Sequence, residues 1–337
     1  MKRDEVLRYT GNMSQVAGIT EKSFSRGKAK GIACYDVKTG SGLEYSLLPD
    51  KCLDIYELRY RGYNMSFLAK NGLVGSAYGY PLENEFDVYW TAGMLYTCGL
   101  MNIGTDCREK SGRYHPLHGR IGMIPAEQST ARAFWDGDSY RLEATAIMRE
   151  SMMGQENLSL ERRITSSYGS NELLIEDRVV NSEAISAGYM LLYHFNFGFP
   201  FLDRTTELHF PREKAAIEAR TESVKPGIAS WNRITNPVDE SPEEVFFHHP
   251  ECGEDGLVTV RLENRELGIG VALSYDGRSL PVLTQWKSMR SGEYVLGIEP
   301  GTATLRGRVL EGESGSLCSL EGFSSHSRRL KLSFYDI

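Results

Sequence analysis

Three segments of the sequence carry side chains able to move protons. In residues 190–200 (MLLYHFNFGFP), His194 stands in an apolar run with Asn196 two positions on. A neutral imidazole gives and accepts a proton near pH 7, and Tyr193, Phe195, Phe197 and Phe199 supply an aromatic surround suited to the C–H face of a sugar. A lone histidine among aromatics is, however, more often a satisfied core residue. In residues 295–302 (VLGIEPGT), Glu299 ends an apolar run before Pro300 and Gly301. A carboxyl at such a strand end loses solvation, which raises its pKa and makes it a better base near neutrality. The plain alternative is a solvated glutamate beside a turn.

The third segment, residues 90–126, interleaves Gly93, Gly99, Gly104, Gly112, Gly119 and Gly122 with Tyr96, Cys98, Asn102, His115, His118 and Arg120. Glycine at this density beside polar side chains reads either as backbone brought close to a ligand or as tight turns and bulges between short strands. His115 and His118 invite a metal reading. Three residues apart on a strand they face opposite ways, which argues against shared ligation unless the segment turns, and no metal is expected.

The elements that must hold these residues are strands. Leu158, Leu160 and Ile164 fall on one parity and Ser159, Glu161, Arg163 and Thr165 on the other, the pattern of a strand with one buried face. Residues 168–171 then read as a turn and residues 172–181 as the returning strand. Val258, Val260 and Leu262, and Leu330, Leu332 and Phe334, repeat the alternation. Residues 40–42, 136–138 and 276–277 fit hairpin turns. Helix is scarce: residues 5–20 allow a short one and residues 211–222 are ambiguous. Residues 237–250, rich in proline and acid, suit an excursion from the main fold. The expectation is an all-β chain, a large antiparallel β-sandwich forming one domain over residues 1–337, with two large sheets face to face.

Composition narrows the partners. Lys and Arg number 38 against 45 Asp and Glu, a net charge of −7 that gives no electrostatic footprint for nucleic acid. The six cysteines are scattered without a CxxC pair, no run approaches 18 apolar residues, and the N-terminus lacks an apolar core. The expectation is a cytoplasmic protein with reduced thiols and no membrane association.

Together the three segments resemble the galactose mutarotase superfamily, also called aldose 1-epimerases, over roughly residues 90–310. The resemblance rests on His118 with Gly119, on His194 with Phe195, Asn196 and Phe197, and on Glu299 with Pro300, in that order. It is closer still to an uncharacterised aldose 1-epimerase-like branch, through Pro49, Asp50, Lys51, Leu53, Asp54 and Ile55, then HGRIG at 118–122, then LLYHFNFG at 191–198. Lys51 stands where that branch has arginine, keeping the charge and losing the bidentate fork.

The resemblance implies a carbohydrate isomerase working on a small sugar without a cofactor, with Glu299 as base, His194 as acid and His118 hydrogen-bonding the substrate. It also implies a substrate-binding set drawn from Asn102, Arg120, Asn196, Gln285, Trp286, Lys287 and Lys51, with Trp286 stacking on a sugar face or serving as ordinary core. Two other readings stay open: epimerisation at a carbon next to a carbonyl, and a sandwich that binds sugar without turning it over. A monomer or homodimer is expected.

Overall fold

The computed structural model of the chain describes residues 2–75 and 86–337. Its alternating segments pair as antiparallel strands. Asn157–Ser167 lies against Glu172–Asn181 with Leu160 opposite Val179 and Ile164 opposite Ile175, so the apolar parity of both strands faces one way. The turn between them falls at residues 168–171, as the sequence leads one to expect.

These two strands sit inside an eight-stranded sheet that runs Thr206–His209, Leu257–Asn264, Ile269–Asp276, Ser325–Asp336, Glu172–Asn181, Asn157–Ser167, Ser139–Ser151 and Gln128–Asp136. A second sheet, of seven strands among the described residues, runs Glu218–Ala219, Glu244–His248, Val282–Arg290, Glu293–Gly301 and Ala187–Gly198, with Leu95–Leu100 and Cys318–Leu320 both pairing with the last. Five strands from Gly18–Ser23 to Tyr63–Asn64 make a third. One continuous apolar core takes Tyr45 and Leu47 from the third sheet, Leu160, Ile175 and Leu332 from the first, and Tyr193, Phe195 and Ile298 from the second. The chain is the expected antiparallel β-sandwich, with a smaller third sheet added to the two large ones.

Three local expectations change. Residues 276–277 do not close a hairpin, because Ile269–Asp276 pairs with Leu257–Asn264 and Ser325–Asp336 while Val282–Arg290 belongs to the other sheet. Residues 237–250 are no excursion: Glu244–His248 is an internal strand whose prolines lie outside it. Residues 211–222 resolve into the short strand Glu218–Ala219 and the start of a 3₁₀ run, Glu222–Ser230, which contains Pro226. A missing N–H at Pro226 is one reason no α-helix forms there.

A buried ionic knot fastens the three sheets. Arg162, on the core-facing parity of Asn157–Ser167, donates from Nε to Asp177 Oδ1 at 2.9 Å and from Nη2 to Asp177 Oδ2 at 2.7 Å. Its Nη1 donates to Asp54 Oδ1 at 2.6 Å, in the third sheet, and to the Cys52 carbonyl at 3.1 Å. From the site-bearing sheet, Tyr193 Oη donates to Asp177 at 2.8 Å and Thr97 gives Asp54 its N–H and its hydroxyl at 2.7 and 2.6 Å. Burial pushes the Asp54 carboxyl up to about 6, with Arg162 and Thr97 opposing the rise. Removing the cation strands two carboxylates, so Arg162→Met is expected to lower unfolding free energy by about 3–5 kcal/mol in urea titrations. A loss under about 1 kcal/mol would show that the knot does not hold the sheets.

Candidate active site

The site grows from strand register. In the second sheet Tyr96 pairs with His194, and Phe195 pairs with Ile298, which sets His194 directly across from Glu299. Glu299 in turn pairs with Thr284, and Thr284 with Phe247. These five side chains therefore form one row on one face. Beside it runs a second row, Asn196, Gly297, Trp286 and Val245. The intervening residues Tyr193, Phe195, Ile298 and Leu283 face the main core, so the site lies on the sheet's other face. A second apolar cluster covers that face, with Phe86, Tyr96, Val245, Phe247 and Leu305 as members and Trp90, Leu117 and Trp286 packed against it.

A cavity of about 310 Å³ opens here, lined by His118, His194, Glu299, Trp90, Trp286, Phe86, Leu117, Arg220 and Glu243 among others. His194 Nε2 stands 3.1 Å from Glu299 Oε1, within hydrogen-bonding distance, although the alignment falls short of a hydrogen bond. The His194 ring is framed by Trp90, Trp286 and His118 at centroid distances of 5.8, 5.6 and 5.6 Å. Both Glu299 oxygens and His194 Nδ1 are buried without a hydrogen-bond partner among the described residues, and so is the hydroxyl of Thr284 across from Glu299.

Burial sets the protonation of the pair. It pushes Glu299 well above the usual carboxylate range, with Arg220 opposing and Glu243 adding to the rise. It pushes His194 well below the usual imidazole range, and the neighbouring His118 adds to that. His118 is lowered for the same reason, with Arg220 contributing. Burial thus biases the ligand-free pair toward a protonated carboxyl beside a neutral imidazole.

Two glycines make the geometry possible. His118 has φ +59° and Gly119 φ +75°, and a Cβ on Gly119 would lie 2.3 Å from the Gly99 carbonyl oxygen and 2.4 Å from that of Asn102. Close approach of bare backbone lets Gly99 N–H donate to the His118 carbonyl at 3.1 Å and Arg120 N–H donate to the Gly99 carbonyl at 2.9 Å, which fixes His118 at the cavity wall. Gly104 N–H reaches His118 Nδ1 at 3.4 Å, an acceptor role that leaves the proton of the neutral ring on Nε2. Gly297, between Trp286 and Asn196, has no such φ. A Cβ there would lie 2.4 Å from Glu299 Oε1, so its bareness makes room for the carboxyl.

The structure thus brings His118, His194, Glu299 and Trp286 to one cavity, and it sets six other sequence candidates elsewhere. Gln285 and Lys287 leave from the opposite side of the strand to Trp286: Gln285 bridges His248 Nε2 at 3.0 Å and the Trp231 carbonyl at 2.9 Å, and Lys287 pairs with Glu244 at 2.7 Å. Asn196 shares the His194 face but spends its amide on the carbonyls of Gly93 and His194, both at 3.0 Å. Asn102 staples the loop that carries His118, donating to the carbonyls of Thr105 at 3.1 Å and Pro116 at 2.8 Å and accepting from Arg308 N–H at 2.7 Å. Arg120 donates to the Tyr114 carbonyl at 3.0 Å. Lys51 is buried against Met123 Sδ at 3.2 Å, where burial brings it down to about 8. None of these six lines the cavity.

Arg220 and Glu243, which sequence reasoning passed over, do line it. Arg220 is held by its N–H to the Val245 carbonyl at 3.0 Å and by Nη2 to Thr105 Oγ1 at 2.9 Å, while Glu243 accepts from Trp286 Nε1 at 2.8 Å. No motif marks either residue. Their strand context was the missing signal, since both flank short strands in the two segments whose structure the sequence leaves open.

His115 sits apart from the cavity with Nε2 2.9 Å from Glu109 Oε1. One group of described residues, Glu207, His209 and Glu263, is close enough to share an ion. Arg265 lies 3.0 Å from Glu207 and 3.9 Å from Glu263, and the group has no part in this cavity. No helix of the described residues is long and apolar enough to cross a membrane.

With its geometry in hand, the chain can be compared with known proteins. Its fold is that of the galactose mutarotase-like proteins. A protein of Klebsiella pneumoniae provisionally named an aldose 1-epimerase superposes with a TM-score of 0.90 at 24% identity, over 96% of this chain and 87% of that one. A galactose mutarotase-like protein of Clostridium acetobutylicum gives 0.66 at 15% identity, over 96% and 100% of the two chains. Galactose 1-epimerase of Lactobacillus acidophilus gives 0.56 at 14%, over 95% and 99%. Residues 29–334 match the family described as a domain of unknown function, DUF4432, and the chain belongs to that family. No curated protein matches the sequence significantly.

The contact at Gly297 can be tested directly. In a crystal structure of Gly297→Ala, the Glu299 carboxyl is expected to be turned away, with its separation from His194 Nε2 well beyond the native 3.1 Å. The cost in stability is expected to be about 1–3 kcal/mol, as for other overpacked sites. An unmoved carboxyl would show that Gly297 does not set its position.

Proposed function

We propose that the protein interconverts the anomers of a reducing sugar by general acid/base catalysis. The observation that carries this reading is the cavity that gathers His118, His194, Glu299 and Trp286, where both oxygens of Glu299 and Nδ1 of His194 are buried without a partner among the described residues. Buried polar groups of this kind cost free energy unless a ligand meets them, so they mark a place built for a polar substrate. Aromatic walls at Trp90 and Trp286 suit the C–H faces of a pyranose.

Ring opening removes the proton of the anomeric hydroxyl and delivers one to the ring oxygen. The C1–O5 bond breaks with its electrons moving to O5, and C1 becomes a carbonyl. Closure on the other face returns both protons. With Glu299 as base and His194 as acid, the reacting form is carboxylate plus imidazolium, whereas burial favours the neutral pair in the free protein. Passage of one proton from Glu299 to His194 Nε2, which requires the two groups 3.1 Å apart to come into line, converts one form to the other with no change in net charge. After ring opening the proton again rests on Glu299. His118 and Arg220 hold hydroxyls at the rim.

Two-dimensional exchange NMR on anomerically equilibrated glucose and galactose tests the proposal. The protein is expected to speed exchange above buffer, and Glu299→Gln and His194→Asn each to lose about 10²–10⁴-fold. Tight sugar binding with no exchange would instead favour a binding protein. The pH profile is a second check. His194 is depressed below 6.5, so kcat/KM is expected to stay level as the pH falls through 6.5, where an ordinary histidine would take its proton. A limb with an apparent pKa near 6.5 would mean that the histidine is solvated.

A further inference from the structure

One hydroxyl beside His194 and Glu299 is idle in the free protein. Thr284 is fully buried on Val282–Arg290, directly across from Glu299, and its Oγ1 has no hydrogen-bond partner among the described residues. Opposite residues on one face of an antiparallel pair have Cβ atoms about 4.5–5.5 Å apart, so side-chain rotation is enough to bring this hydroxyl to the carboxyl. From an idle donor facing an idle acceptor we infer that Thr284 is a positioning residue for the acid/base step: its hydroxyl turns to donate to Glu299 when the carboxyl gives up its proton. The inference rests on the proposed anomeric activity and adds a residue to it.

The surroundings of Glu299 show why such a donor matters. Neither carboxyl oxygen receives a hydrogen bond from a described residue, and burial opposes the charged form. The other groups around it are committed or of unsuited sign. His194 takes the proton itself. Glu243 is an acid and accepts from Trp286 Nε1 at 2.8 Å. Arg220 opposes the rise in Glu299 but gives its Nη2 to Thr105 Oγ1 at 2.9 Å. His118 is fixed at the cavity wall through its backbone and Nδ1. Burial pushes the Cys98 thiol well up, and Glu299 adds to that. Gln285 faces the other side of the sheet. Trp90 Nε1 is also unpartnered, but Trp90 packs beside His194 and not on the strand next to Glu299. Thr284 is thus the uncommitted donor that strand register sets against the carboxyl.

The step balances simply. The proton passes from Glu299 to His194 Nε2, the Thr284 hydroxyl rotates about its Cβ–Oγ1 bond, and its O–H donates to the new carboxylate. No covalent bond of Thr284 forms or breaks. A carboxylate has about four acceptor sites, so Thr284, the His194 imidazolium and the anomeric hydroxyl are all accommodated. When the anomeric proton reaches Glu299, the hydroxyl is released. Between turnovers it is buried and unsatisfied, which costs stability; a structural hydroxyl would be bonded in the resting protein.

The test uses Thr284→Val, which keeps the branched shape without the hydroxyl, and Thr284→Ser, which keeps the hydroxyl. For anomeric exchange of glucose and galactose, kcat is expected to fall about 10–100-fold in the valine variant, the scale of one hydrogen bond to a charged group, with KM within about twofold. Serine is expected to return kcat to within about threefold of wild type. The urea midpoint of Thr284→Val is expected to equal or exceed that of wild type, because the free protein loses no hydrogen bond. A fall in midpoint together with kcat assigns the hydroxyl to the fold and overturns the inference. An unchanged kcat also overturns it, and leaves the anomeric activity standing. A sugar-free readout is ¹³C NMR of the Glu299 side-chain carboxyl, assigned by its loss in Glu299→Gln. Ionisation is expected at higher pH in Thr284→Val than in wild type and Thr284→Ser; the same pH in all three overturns the inference. Exchange of no sugar by the wild type overturns the anomeric activity, and the carboxyl titration then decides the Thr284 contact by itself.

Discussion

Everything in the site depends on where the sheets meet, and that is set by one buried guanidinium. Arg162 belongs to the eight-stranded sheet, and its carboxylate partners Asp177 and Asp54 accept in turn from Tyr193 and Thr97 of the sheet that carries the site. Tyr193 is the neighbour of His194 in sequence and points to the other face of the same strand. A network that fixes Tyr193 from the core side therefore fixes the backbone from which His194 projects on the cavity side. A planar fork with five donors suits this position. Lysine, a point charge, could not bridge two carboxylates and a carbonyl in one plane.

On the cavity side the controlling fact is burial without partners. Glu299 and His194 face each other because two antiparallel strands are in register, and Gly297 leaves the space into which the carboxyl folds. Burial against the surrounding indoles favours the neutral forms of both groups. That biases the two groups, 3.1 Å apart, toward their uncharged forms, with buried atoms left for something else to meet. A pair of that kind can move a proton internally without altering the net charge of the cavity, the property that the proposed opening and closing of a hemiacetal needs.

Much of this was legible in the sequence. Period-two alternation in residues 157–181 placed both strands and their turn, and the order of His118, His194 and Glu299 brought together three residues that the fold sets around one cavity. What could not be read was pairing across the sheet. Gln285, Trp286 and Lys287 look equivalent in a linear string, yet strand alternation sends only Trp286 to the site. Arg162 falls on the apolar parity of its strand, where a charge reads as a break in the pattern until Asp54 and Asp177 are seen around it. Arg220 and Glu243 carry no local signal because their place depends on short strands, Glu218–Ala219 and Glu244–His248, that form only against the neighbouring strands of the sheet. Asn102 and Asn196 are substrate-binding candidates by resemblance, but their amides hold backbone: a polar residue, in the glycine-rich loop for Asn102 and on a strand for Asn196, can serve nearby carbonyls as readily as a ligand.

The central claim is that, in the free protein at neutral pH, the transferable proton rests on Glu299 and the pair carries no net charge. The most direct measurement is ¹⁵N NMR of the imidazole nitrogens, with the His194 signals assigned by their loss in His194→Asn. The account predicts a neutral His194 at pH 7 that stays neutral as the pH is lowered through 6.5. An imidazolium signal for His194 at pH 7 in the free protein would contradict it.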